Sequence, residues 1–275
     1  MDRFSPRPTS SIAGIARLLP RWIPGLRFSL AASDIAGDTP FPFVAIVGLH
    51  SSGSSALAAV CWHLGIHLGN KLGGYYTVDP VHRGFEEKRL ARLCEDAAPF
   101  PQTFINDPNR THERLRTWIS DQQREASKRE VLAGGKYPHF CRLGEQLQRA
   151  CGENLLIIHC DRPLEESILS LQRRQKQIRY GCSPEAAEAV QRWLWTGKQE
   201  FLADIPTKRQ LTVSFDDLLA DAKQQTRRIA EFLHIDPTAN QIRNAVSVVN
   251  PKMRHVKRQA TEACDLVMTC SAAAR

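Results

Sequence analysis

A stretch rich in glycine and serine has the composition and the position of a loop that binds phosphate. Its sequence is GLHSSGSS, residues 48–55. Small residues let the backbone curl so that successive N–H groups converge on an anion, at the positive end of the helix that follows. The spacing matches the pattern G-x-x-x-x-G-K-[ST], except that serine stands where the lysine is expected. An ATPase or GTPase would lose its main γ-phosphate contact there. The candidate phosphate-binding residues are His50, Ser51, Ser52, Gly53, Ser54 and Ser55.

The segments on either side of this loop predict the elements that a phosphate site requires. Residues 43–47 form a continuous apolar run, which is typical of a strand buried on both faces. Residues 54–68 predict a helix that ends before Gly69. Further strands are predicted at 155–160 and 210–214, and they alternate with helices. The predicted helices cover residues 85–96, 109–130, 142–151, 163–179, 184–202, 222–233 and 238–248. This alternation predicts a P-loop three-layer α/β/α fold with a mainly parallel central sheet.

The chain divides into three parts by composition. Residues 41–258 hold the predicted P-loop domain, and residues 259–275 form a C-terminal tail. Residues 1–40 predict an irregular basic arm, because prolines interrupt any long helix there. A transit peptide or a basic helix on a membrane surface remains open for this arm. The net charge of +8 favours an anionic partner without choosing among nucleotide, sulfated glycan, nucleic acid and acidic lipid.

The bulk composition is that of an ordinary soluble globular protein. Hydrophobic residues make up 42% and charged residues 24% of the chain. The 8 cysteines form no C-x-x-C pair, so we expect no metal. Cys61 and Cys160 lie in apolar runs, which favours a reducing, cytoplasmic compartment. The even count leaves a secreted protein with disulfides open, and NRT at 109–111 is formally a glycosylation sequon. No run approaches the ~18 apolar residues that span a bilayer. We also expect no nucleic-acid partner, and the sequence leaves the oligomeric state open.

The loop resembles that of the bacterial sulfotransferases, which have G-[ML]-H-R-S-G-T-S-A-L-A where this chain has GLHSSGSSALA at residues 48–58. In that family the loop holds the 5′-phosphosulfate of 3′-phosphoadenosine 5′-phosphosulfate (PAPS). Further matches follow in the family's order over residues 41–256. They are GFEE at 84–87 for G-[FY]-[WF]-E, KYP at 136–138 for K-D-P, the strand-following Arg162 with Ser170, SFDDLLAD at 214–221, and the basic segment at 250–255.

The resemblance implies roles for several of these residues. Arg162 and Ser170 would bind the 3′-phosphate, for which a guanidinium fork and a hydroxyl are suitable donors. A pair formed by Arg162 with a nearby glutamate is the alternative. The candidate general bases are Glu87, then Glu86 and His82. An ordinary acid in the first turn of a helix is the alternative for Glu87. Lys252 and Arg254 would close over the nucleotide.

One position departs from the family pattern. Ser51 stands where the family has arginine or lysine, a cation that helps to hold the transferable group. Replacement charge could come from His50, Lys71, Arg83 or Lys136. The resemblance implies an enzyme that moves a sulfuryl group from PAPS to a hydroxyl or amine of a carbohydrate or small metabolite. A catalytically weakened relative that only binds nucleotide or a sulfated ligand is the alternative, and a divergent P-loop kinase is a more distant one.

Overall fold

The computed structural model describes residues 41–70, 72, 84–177 and 183–250, with side chains up to residue 174 in the third range. Several predicted features lie outside these residues. They are the arm at 1–40, the tail at 259–275, Lys71, His82, Arg83, Lys252 and Arg254.

Four parallel strands form the central sheet within the described ranges. They are β1 (Phe43–Val47), β2 (Ala133–Lys136), β3 (Leu155–Asp161) and β4 (Gln210–Ser214), in the order β2-β1-β3-β4. Ile46 of β1 lies opposite Lys136 on one side and Ile158 on the other. Because the strands are parallel, the segments that follow them meet on the side of the sheet where the strands end, here called the carboxyl edge; the opposite side, where the strands begin, is the amino edge. Open α/β sheets bind their ligands at the carboxyl ends of the strands.

Nine α-helices are present in the part of the chain that the structure describes. They are α1 (Ser54–His63), α2 (Lys88–Ala97), α3 (Pro108–Ser127), α4 (Gly144–Cys151), α5 (Leu164–Gln177), α6 (Pro184–Ala203), α7 (Phe215–Ala220), α8 (Ala222–Phe232) and α9 (Ala239–Ser247). Of these described helices, none combines the length and the apolar character needed to cross a bilayer.

The helices cover both faces of the sheet, which confirms the predicted three-layer fold. Successive side chains of β1 point to opposite faces. Phe43, Ala45 and Val47 pack into a core with α2, α3, α4 and α6. Val44 and Ile46 pack into a second core with α1, α7, α8 and α9.

The strand β2 was not predicted, because AGGK has none of the β-branched residues that indicate a strand. Its glycines are explained by close packing. A Cβ on Gly134 would lie 2.7 Å from the carbonyl oxygen of Val44, and a Cβ on Gly135 would lie 2.7 Å from the Trp118 ring. Only glycine allows β2 to approach β1 and α3 this closely.

Two predicted helix boundaries near the loop were wrong. The first helix ends at His63 instead of residue 68, because Gly65 adopts a φ of 100° and the amide of Ile66 turns back to the carbonyl of Cys61. The helix α2 begins at Lys88 instead of residue 85, because Glu87 caps it. The short helix α7 was not predicted.

Candidate phosphate-binding and catalytic site

The glycine-serine loop joins β1 to α1 at the carboxyl edge of the sheet. Gly53 is the residue that precedes α1, and its φ of 95° is in the left-handed region. Ser51 also has a positive φ, of 55°. The Ser52 hydroxyl donates to the carbonyl of Leu49 at 2.8 Å, which closes the turn from inside. The loop thus presents the N-terminus of α1 to the edge of the sheet, as anion binding requires.

Gly53 is tightly packed, in addition to having a left-handed backbone conformation. A Cβ at this position would lie 2.1 Å from the ring of Phe215, the first residue of α7. The same ring lies beneath the guanidinium of Arg162, whose Cζ is 4.9 Å from the ring centroid. Phe215 therefore fixes the loop and Arg162 relative to each other.

Lys136 brings a buried cation to the loop. It is the last residue of β2, and only 3% of its side chain is exposed. Its Nζ donates to Ser55 Oγ at 3.3 Å and to the carbonyl of Gly84 at 3.1 Å. It also forms an ion pair with Glu86. The fold thus assembles Ser55, Glu86 and Lys136, which are far apart in the sequence.

The two adjacent glutamates occupy different environments. Glu87 is 4% exposed, and its Oε2 accepts from the amide of Leu90 at 2.9 Å and from Trp118 Nε1 at 3.2 Å. These contacts cap α2 and attach it to α3. The carboxylate that reaches the cation beside the loop is that of Glu86.

Arg162 lies against the loop, directly after β3. Its Nη1 donates to the carbonyl of Ser51 at 2.8 Å, and its Nε pairs with Glu166 at 3.3 Å. The remaining nitrogen, Nη2, is buried with no protein partner, and so is Ser51 Oγ. Ser170 lies two turns along α5 and is 4% exposed. Arg162 and Ser51 thus each place a buried polar atom without a protein partner at the loop.

His50 and His139 add neutral imidazoles to the site. Burial, together with the charges of Lys136 and Arg174, lowers the pKa of His50 to about 3. Burial, with a smaller effect of His50, lowers the pKa of His139 to about 3. His50 therefore supplies no positive charge near neutral pH. Of the residues considered as replacements for the missing cation, the described part of the chain places Lys136 at the loop.

Sequence reasoning missed two residues at this site. His139 follows Lys136 by three residues and stacks on Tyr137, with ring centroids 5.1 Å apart. Because His139 directly follows the KYP motif, its position in the sequence could have indicated that it lies near the site. Gln191 of α6 donates from Nε2 to the carbonyl of His50 at 2.6 Å. Nothing in its local sequence indicated that contact.

Comparisons with known proteins bear on the family and the fold of this chain. A family model described as the sulfotransferase family matches residues 42–239. Sulfotransferase STF9 from Mycobacterium avium superposes with a TM-score of 0.54 at 11% identity, over 75% of this chain and 67% of that one. The sulfotransferase domain of the Synechococcus PCC 7002 olefin synthase gives a TM-score of 0.51 at 15% identity, over 83% of this chain and 92% of that one.

At these identities the structural likeness shows the fold alone. No curated protein matches the sequence at a significant level. The family model nevertheless covers more than half of the chain, and its span contains the loop, Lys136, Arg162 and all four described strands. The chain belongs to the sulfotransferase family.

Proposed function

We propose that this protein is a PAPS-dependent sulfotransferase whose acceptor is a hydroxyl or an amine of a carbohydrate or small metabolite. The observation that carries the proposal is the position of Lys136. Its buried ammonium lies against Ser55 of the phosphate loop and beside Glu86. This cation takes the place of the one that Ser51 lacks.

The residues of the site fit the donor nucleotide. The loop residues 50–55 would hold its 5′-phosphosulfate, and Arg162 with Ser170 would hold its 3′-phosphate. The buried donors Arg162 Nη2 and Ser51 Oγ have no protein partner, which is the condition expected of groups that bind ligand oxygens. When bound, PAPS supplies an activated sulfuryl group on a phosphate leaving group.

Two side chains would carry the chemistry of this chain. The Lys136 ammonium, fixed by three contacts, would stabilise negative charge that develops on the leaving phosphate oxygen. The Glu86 carboxylate would take the proton of the acceptor hydroxyl or amine. Glu87, the first candidate from sequence, already accepts two hydrogen bonds in the capping of α2, so we assign the base to Glu86.

The test is Lys136→Gln, with Lys128→Gln as the control. Lys128 also pairs with a glutamate, Glu125, but on the exposed surface of the last turn of α3. Release of 3′,5′-ADP (the desulfated product) from PAPS is measured with an acceptor panel. Lys136→Gln should lower turnover about 100-fold, the scale of losing one charge-stabilising donor, and Lys128→Gln should not. Equal turnover of both variants would remove Lys136 from the mechanism.

A protein that binds the nucleotide without turnover is the second candidate. Ser51 favours it, and so does the pairing of Lys136 with Glu86, which compensates the cation. Tight binding of 3′,5′-ADP with no turnover by the wild type on any acceptor would establish this alternative. Four cysteines of the described residues, Cys61, Cys94, Cys141 and Cys160, are buried free thiols, which supports a reducing compartment for either activity.

A further inference from the structure

Three consecutive carbonyls of the phosphate loop each accept a hydrogen bond from a side chain of another segment, one from α6 and two from the end of β3. The carbonyl of His50 accepts from Gln191 Nε2 at 2.6 Å, and that of Ser51 accepts from Arg162 Nη1 at 2.8 Å. The carbonyl of Ser52 accepts from Cys160 Sγ at 3.1 Å. Burial raises the pKa of Cys160 to about 12, so the thiol keeps the proton that it donates.

These contacts determine which way the loop amides point. In a trans peptide the C=O and the following N–H point in opposite directions. A carbonyl of His50 held by α6 therefore turns the N–H of Ser51 away from α6. A carbonyl of Ser52 held by β3 likewise turns the N–H of Gly53 away from β3. Side chains outside the loop thus set the orientation of the groups that must converge on an anion.

Of these three donors, Gln191 is the one to which no role in binding the nucleotide or in forming the sheet has been assigned. Its side chain is fully buried, although α6 otherwise faces the core with Ala187 and Leu194. Burying an amide is unfavourable unless its groups are used, and its Oε1 has no protein partner. Cys160 and Arg162, by contrast, belong to or directly follow β3.

We propose that Gln191 is a positioning residue for the phosphate loop. It orients the amide of Ser51 through the carbonyl of His50 and so raises affinity for a phosphate-type anion. The nature of the nucleotide rests on the proposed function, but the effect on the loop does not.

The chain offers a matched control in Gln123. This second glutamine is also buried, and its Nε2 donates to the carbonyl of Phe41 at the same distance of 2.6 Å. It lies on α3, at the opposite edge of the sheet. Gln191→Met and Gln123→Met therefore remove equivalent hydrogen bonds with a similar change of volume, one at the loop and one away from it.

The experiment compares the two variants in three measurements. Both should show a lowered melting temperature by calorimetry, since each loses a buried hydrogen bond. Only Gln191→Met should weaken 3′,5′-ADP, by about tenfold, and only it should speed hydrogen exchange of the amides at residues 51–53. Equal affinities and equal exchange at the loop in the two variants would overturn the proposal.

A failure of the proposed function gives a different result. If the wild type does not bind 3′,5′-ADP, the assignment of PAPS fails, and inorganic pyrophosphate replaces it as the probe. Weaker pyrophosphate binding in Gln191→Met than in Gln123→Met would still support the positioning role. Identical pyrophosphate binding in all three proteins would overturn it. Should Gln191→Met not fold, Gln191→Leu, which also removes the donor without burying a charge, takes its place in the same comparison.

Discussion

The carboxyl and amino edges of the sheet share two structural features but differ in the polar groups and the cavity that lie beside them. Each has a buried glutamine that donates to a main-chain carbonyl at 2.6 Å and a glycine with φ near 100°. At the carboxyl edge, Arg162 Nη2 and Ser51 Oγ remain buried without protein partners. At the amino edge lies an apolar cavity of about 100 Å³, lined in part by Leu64, Ile66 and Val131.

This difference bears on which edge binds a ligand and which edge serves packing. A buried donor without a partner is unfavourable in the folded protein, and a ligand oxygen would relieve that cost. The lining of the amino-edge cavity is mostly apolar, so a change there should act mainly on packing. Matched substitutions at the two edges should therefore separate binding from stability.

The largest effect is expected at Gly53, and Gly65, another glycine with a positive φ, serves as its comparison. A Cβ on Gly53 would lie 2.1 Å from the Phe215 ring, whereas a Cβ on Gly65 would lie 3.2 Å from the flexible side chain of Gln241. Gly53→Ala should weaken 3′,5′-ADP by at least about 100-fold in calorimetry, which corresponds to about 2.7 kcal/mol. Gly65→Ala should introduce the same backbone strain as Gly53→Ala but leave the affinity for 3′,5′-ADP unchanged.

The double variant Gly53→Ala/Phe215→Ala removes the ring clash and shows how much of the loss comes from it. Circular dichroism checks that each protein is folded. Unchanged affinity in folded Gly53→Ala would show that the loop is not the binding site.

The second comparison concerns two arginines. Arg162 Nη1 and Arg209 Nη1 donate to main-chain carbonyls at 2.8 and 2.9 Å, the latter to Gly152 at the amino edge. Arg162→Ala should weaken 3′,5′-ADP more than 5′-AMP, since a hydrogen bond to a charged 3′-phosphate contributes about 1.5–3 kcal/mol. Arg209→Ala should lower the melting temperature and leave both affinities intact. Equal losses of both nucleotides in Arg162→Ala would mean that this residue acts only through the Ser51 carbonyl.

The smallest effect is a pH dependence of stability from buried histidines at the carboxyl edge. Burial lowers the pKa of His139 from 6.5 to about 3, so between these values the unfolded chain binds a proton that the folded chain excludes. Stability should therefore fall as the pH falls below 6.5. A histidine of this kind contributes about 1 kcal/mol of loss between pH 7 and 5.5.

Urea unfolding at both pH values measures this effect. His139→Gln should lose less stability on acidification than the wild type. An identical pH dependence of the two proteins would show that His139 has the same pKa in the folded and unfolded chains.

Local patterns explain what could be predicted from sequence. The buried strands β1 and β3 and the loop between β1 and α1 are each defined by neighbouring residues, so periodicity and glycine spacing indicate them. The order of strands and helices then restricts the topology to a parallel sheet, and the family motifs follow that order. The fold class and the family were therefore accessible before any coordinates.

Other features depend on residues distant in the chain. The strand β2 exists because AGGK pairs with β1, with Ala133 opposite Phe43. Which of two adjacent glutamates faces Lys136 depends on where α2 begins. Glu87 accepts a hydrogen bond from Trp118, a residue distant in the chain, and Glu86 is the one that pairs with Lys136. Gln191 reaches the loop from 141 residues away.

Residue patterns alone were enough to predict the fold class, the family and a candidate phosphate loop, because each depends on contacts between neighbours or on the order of elements. Which side chains surround the loop depends on how distant segments pack. Lys136, Glu86, Arg162 and Gln191 come from separate elements, and only packing of those elements brings them to one edge. Hydrogen bonding and charge act over a few ångströms in space, whatever the separation along the chain.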